Sequence, residues 1–176
     1  MLYLQGSKCE RLGSRSMALT VYLIWAKGSL FFENCAKDVM TQSLRVLVVE
    51  DSVQDAFLIV QELCGGGFDV ITERVESAGA MQTAMVEQTW DLIISDYSIP
   101  GFGGPAALAL YQREDLDIPF IMVSGVMGEA LAVEMVKSGA HNYVMKDQLR
   151  RLVPAVRQEL RAAQERRLRK HAQATA

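Results

Sequence analysis

Four short strand-like runs in this chain each end on a residue that carries chemistry. Leu44–Val49 runs into Glu50-Asp51, Asp91–Ser95 into Asp96, Ile118–Val123 into Ser124-Gly125, and Asn142–Met145 into Lys146. Between them lie stretches with helical spacing of apolar residues. Ser52 is placed to cap Val53–Cys64, whose Ala56, Ile59, Val60 and Leu63 share one face, and Gly65-Gly66-Gly67 stops that helix. Phe68–Val75 alternates and is β-branched, which predicts a further, partly exposed strand. Ser77 opens a helix to Gln88, Pro105 suits the first turn of a helix ending near Glu114, Gly128–Ser138 predicts a fourth helix, and Gln148 onward a fifth. Pro154 must sit in the first turn of that last helix or kink it.

Strands alternating with helices imply a parallel sheet covered on both faces, linked by right-handed crossovers. The expected fold class is therefore α/β: a flavodoxin-like (βα)5 three-layer sandwich with sheet order 2-1-3-4-5. Ligands in such sheets bind beyond the carboxyl ends of the strands. That rule gathers Glu50, Asp51, Asp96, Ser124 and Lys146 on one edge. Three carboxylates so close raise one another's pKa unless a cation intervenes, and a hard divalent ion such as Mg2+ suits oxygen donors. With a hydroxyl at Ser124 and the charged head of Lys146, the set matches a phosphoryl-binding site. Asp96 is the candidate nucleophile, able to form an acyl phosphate.

Together with Pro100 and Gly104 in the loop after Asp96, and Tyr143 three residues before the lysine, these residues resemble the receiver domain of two-component response regulators, over about 44–160. The resemblance implies that Asp96 accepts a phosphoryl group from a sensor histidine kinase or a histidine phosphotransfer protein. It implies that Glu50, Asp51, Asp96 and the Ser98 carbonyl hold Mg2+, that Ser124 and Lys146 engage the phosphoryl oxygens, and that Ser124 and Tyr143 act as the switch. The responding surface would be helix 4, strand 5 and helix 5, with Gly125 and Gly128 easing the motion, and a downstream protein would read it. The implied role is a stand-alone signalling module rather than an enzyme in its own right. The alternatives are the receiver piece of a hybrid histidine kinase and a docking module not regulated by phosphorylation.

Two features depart from the family pattern. Asp147 follows Lys146 where many receivers have proline, and Ser98 and Val126 flank the site without a water-activating group, which points to slow self-dephosphorylation. A haloacid-dehalogenase type of phosphatase would need Asp-x-Asp on the first strand, and Glu-Asp-Ser-Val does not supply it. Taken singly, each site residue has a plainer reading: a solvated strand end for Glu50-Asp51, a turn cap for Asp96, a turn hydroxyl for Ser124, a surface charge for Lys146, core packing for Tyr143. Their joint order outweighs those readings except at Tyr143, where core packing and a switching role stand equal. His141 reads as an edge residue and the methionines at 81, 85, 122, 135 and 145 as core filler.

Charge divides the chain unevenly. Residues 44–147 carry 5 basic against 16 acidic side chains, residues 148–176 carry 8 against 2, and residues 1–43 carry 5 against 3. The basic stretch 161–176 is expected to be a solvated helical tail. Neither it nor the net charge of -3 argues for a nucleic acid or membrane partner, and homodimerisation is left open. Residues 1–43 are expected to be an unstructured extension or foreign to the domain. The apolar stretch Met17–Ala26 is too short to span a bilayer, and a surface anchor or export signal ranks behind that reading. Cysteines at 9, 35 and 64 are odd in number and widely spaced, which fits a reducing, cytoplasmic setting.

Overall fold

A computed structural model describes residues 21–26, 29–34, 42–114, 116–125 and 129–174. The strands are β1 (Val21–Ala26), β2 (Ser29–Asn34), β3 (Gln42–Val49), β4 (Phe68–Val75), β5 (Leu92–Asp96), β6 (Phe120–Ser124) and β7 (Asn142–Met145). The helices are α1 (Val53–Gly65), α2 (Ala78–Glu87), α3 (Gly104–Arg113), α4 (Glu129–Lys137) and α5 (Leu152–Ala174), the last preceded by a 3-10 segment, Lys146–Arg151. Strands β4-β3-β5-β6-β7 are parallel neighbours in that order, which is the expected 2-1-3-4-5 arrangement.

The sheet's central strands are apolar on both sides because each side is covered. Leu47 and Val49 of β3 join Ile93, Phe120 and Met122 beneath α2, α3 and α4. Val46 and Val48 join Leu92, Ile94, Ile121 and Val123 beneath α1 and α5. Alternate residues of one strand thus feed two cores, and full burial of each such side chain is worth roughly 1.5–3 kcal/mol. The Ser52 hydroxyl accepts from the Asp55 amide at 3.2 Å and caps α1 as its sequence predicts. Gly67 follows that helix at φ +86°, a left-handed turn that favours glycine.

Two elements differ from expectation. Strands β1 and β2, from the head expected to lie outside the fold, form an antiparallel hairpin, and β2 pairs with β4. The outer side of β4 is therefore paired at Ile71–Glu73, while Asp69, Ile71 and Arg74 stay partly exposed as the alternation predicts. The basic tail also does more than solvate a helix face. Asp117, in the loop before β6, accepts from Arg166 at 3.1 Å and Lys170 at 3.0 Å, while its backbone oxygen accepts from Arg167 at 2.7 Å. These contacts hold the far half of α5 against the body. Pro154 occupies the first turn of α5, and the bend falls before it, at Gln148 in the 3-10 segment.

His141 joins the edge of the sheet through its ring: Nδ1 accepts from the Phe120 amide at 3.1 Å, so that nitrogen must carry no proton. Burial, then the positive charge of Arg166, depress its pKa, against smaller opposite pulls from Glu159 and Asp117. An unfolded histidine takes up its proton near pH 6.5, before the folded one does. The contribution of His141 to stability should therefore fall as pH drops from about 7 toward 5. In thermal melts across that range, the melting temperature of the wild-type chain should fall relative to that of His141→Gln as pH drops. Parallel profiles would assign the pH dependence to other groups.

Candidate functional site

Register brings the site together. Val49 lies opposite Val75 and Ser95 across the first two ladders, Asp96 opposite Val123, and Ser124 opposite Met145. Glu50-Asp51, Asp96, Ser124 and Lys146 therefore leave the same edge of four adjacent strands. Glu50 and Ser124 are fully buried, Asp96 is buried, and Asp51 and Ser98 are exposed. One carboxylate oxygen from each of Glu50, Asp51 and Asp96 lies within 4.8 Å of the others.

Lys146 crosses into this group from the far side. Its Nζ is 2.9 Å from Glu50 Oε2, 3.3 Å from Asp96 Oδ2 and 2.6 Å from Asp55 Oδ2. Burial would lower the lysine's pKa, but its hydrogen bonds to Asp55 and Glu50 outweigh that and hold it above the usual lysine range. Burial dominates at Glu50. It pushes the carboxyl up to about 7, against the hydrogen bonds from Lys146 and from the Ser52 amide. One lysine therefore does not fully compensate the acids packed around it. Asp96 Oδ1 is buried with no hydrogen-bond partner. A cluster of hard oxygen donors with an unsatisfied carboxylate oxygen fits a divalent cation of the Mg2+ kind.

The surrounding loops are built to hold this edge. The loop after Asp96 is tied back by the Tyr97 amide to the Val123 carbonyl and by the Gly104 amide to the Tyr97 carbonyl, both at 2.9 Å. A Cβ on Gly104 would lie 3.0 Å from the Tyr97 Cα and closer still to Met122 Sδ. That close approach, rather than an unusual dihedral, requires glycine there. Tyr143 is half-buried against the core beneath α4, and its amide donates to Asn142 Oδ1. Asp147 lies in the first turn of the 3-10 segment, exposed. Val126 and Gly128 lie outside the described residues.

Two site residues escaped the sequence reading. Asp55, in the first turn of α1, makes the shortest contact to Lys146. Arg74, near the end of β4, donates from Nη1 to the Glu50 carbonyl at 2.6 Å and the Asp51 carbonyl at 3.3 Å, with Glu76 bound at 2.9 Å. Asp55 had a signal available: an acid one helical turn past Glu50-Asp51 must face the same sheet edge. Arg74 had none, because its role runs through backbone oxygens.

The sequence model of the response regulator receiver domain matches residues 46–157, more than half of the chain. The chain belongs to the response regulator receiver family. Among its relatives is the chemotaxis protein CheY of Bacillus subtilis, 26% identical over 117 residues that cover 66% of this chain and 97% of CheY. The DNA-binding response regulator MtrA of Mycolicibacterium smegmatis is 34% identical over 125 residues, 70% of this chain and 53% of MtrA. The receiver thus spans about half the length of that relative. The solved receiver domain of the Francisella response regulator 1452 superposes with a TM-score of 0.59 at 21% identity, covering 68% of this chain and 98% of that one, which supports the fold. Among the described residues, no helix is long and apolar enough to cross a membrane.

Proposed function

We propose that this receiver accepts a phosphoryl group on Asp96 from the phosphohistidine of a sensor kinase or phosphotransfer protein, and thereby switches a surface read by a downstream protein. The observation that carries the reading is the buried Asp96, with one oxygen unpartnered, beside two further carboxylates and Lys146. Glu50, Asp51 and Asp96, with the Ser98 carbonyl, would hold Mg2+, which when bound neutralises phosphoryl charge. An Asp96 oxygen attacks phosphorus in line, the P–N bond to the donor imidazole breaks as the P–O bond forms, and the leaving imidazole keeps the electron pair and takes a proton. Lys146 and the Ser124 hydroxyl then meet anionic oxygens absent from the resting state.

That differential contact is what allows a two-state shift. Ser124 ends β6 opposite Met145, and Tyr143 lies two residues earlier on β7 opposite Met122, so a movement at the end of β6 is passed along this ladder to the face formed by α4, β7 and α5. Incubation with acetyl phosphate and Mg2+ should add one phosphoryl mass to the intact protein. Hydroxylamine should then remove it, as expected of an acyl phosphate. An unchanged mass under conditions that saturate the site with Mg2+ would overturn the reading.

A further inference from the structure

We infer that Asp55 is a resting-state anchor for Lys146 and sets how readily the phosphorylated state is reached; this rests on the receiver reading above. The lysine ammonium has three donors and, at rest, three carboxylate partners: Asp55 at 2.6 Å, Glu50 at 2.9 Å and Asp96 at 3.3 Å. Only Asp55 and Glu50 are hydrogen-bonded to the ammonium, and a phosphoryl oxygen arriving at Asp96 competes with those two contacts for it. The three acids differ in what yielding costs them. The Glu50 side chain is 1% exposed and that of Asp96 6%, whereas Asp55 is 36% exposed.

Water can replace the lysine at Asp55 but hardly at the other two, because an unpaired buried carboxylate keeps its full desolvation penalty. Asp55 is therefore the partner released. It also lies outside the trio of acids whose oxygens converge, so a cation there does not compensate its loss. A contact present only in the resting state weighs against activation by its own free energy. Asp55 is in this sense a positioning residue: it touches Lys146, not the reacting atoms.

The test is beryllofluoride binding at saturating Mg2+, followed by the amide spectrum of the full chain. In Asp55→Asn the lysine faces a neutral acceptor instead of a carboxylate at rest, and the analogue should bind about 2- to 5-fold more tightly, the range for a partly exposed ion pair. Asp55→Glu, which keeps the carboxylate, should return the affinity toward wild type. The Lys146 side-chain 15N resonance should move on analogue binding in wild type and already be displaced in resting Asp55→Asn. Equal or weaker binding by Asp55→Asn, with a folded spectrum, would overturn the anchor. Absence of analogue binding in the wild-type chain would instead strike at the receiver reading itself.

Discussion

Asp96→Asn should lower phosphoryl incorporation from acetyl phosphate by at least about two orders of magnitude while leaving the fold intact, since it removes the attacking oxygen and little else. Asparagine has nearly the shape of aspartate, and the Asp96 position is packed on all sides. The negative charge of Asp96 contributes to raising the Glu50 pKa, so its removal relieves repulsion inside a buried acidic group. In the absence of divalent ion the variant should melt no lower than wild type. Intact-mass measurement reads the first effect and a thermal melt the second. Residual incorporation at more than a tenth of the wild-type rate would mean that a second side chain accepts the phosphoryl group. A large drop in melting temperature would mean that the ion pair of Asp96 Oδ2 with Lys146 outweighs the repulsion relieved at Glu50.

The meeting of the strand-end residues at one edge was legible in the sequence because β-strands of a parallel sheet share a direction. Once Leu44–Val49, Asp91–Ser95, Ile118–Val123 and Asn142–Met145 are read as parallel neighbours, their terminal residues must meet at one edge. The topology rule supplies the convergence that no single motif could. Lys146 illustrates where that reasoning stops. Its place on the edge follows from the strand pattern, but its division among three carboxylates depends on the reach and exposure of each, which only packing decides. Asp55 and Arg74 belong to the same class: one acts through a side-chain reach across the edge, the other through carbonyl oxygens that every residue possesses.

The pairing of the head and the anchoring of the tail were hidden for a different reason. Antiparallel pairing of β2 with β4 is a backbone event and leaves no side-chain signature in a short apolar stretch. The tail's arginines and lysine read as solvated because most such side chains are. Their engagement turns on Asp117, about fifty residues earlier and unremarkable in a segment rich in acids. Asp117 itself is held below the usual carboxylate range, first by the Lys170 hydrogen bond and then by Arg166, against some desolvation. Stability from that contact is present at neutral pH and lost only as the medium becomes strongly acidic.

Lys146→Met should destabilise the metal-free protein by roughly 2–4 kcal/mol, the largest stability effect expected at this site. The lysine is the only cation within ion-pair distance of Glu50 and Asp96 among the described residues, and both acids are almost completely buried. Deleting it leaves two desolvated carboxylates facing each other without a counter-charge. The cost falls short of that for a fully buried pair, because the lysine is itself 22% exposed and Glu50 can escape by taking up a proton. A divalent ion held by Glu50, Asp51 and Asp96 would supply the missing charge. The stability gap between Lys146→Met and wild type should therefore narrow when chelator is replaced by millimolar Mg2+, since a ligand that binds the folded state alone stabilises it by mass action. Urea unfolding in the two buffers measures both quantities. A gap that is small in chelator would show that Asp55 and solvent already satisfy the lysine and that the acids do not depend on it. A gap that Mg2+ leaves unchanged would separate the lysine's electrostatic role from the cation site.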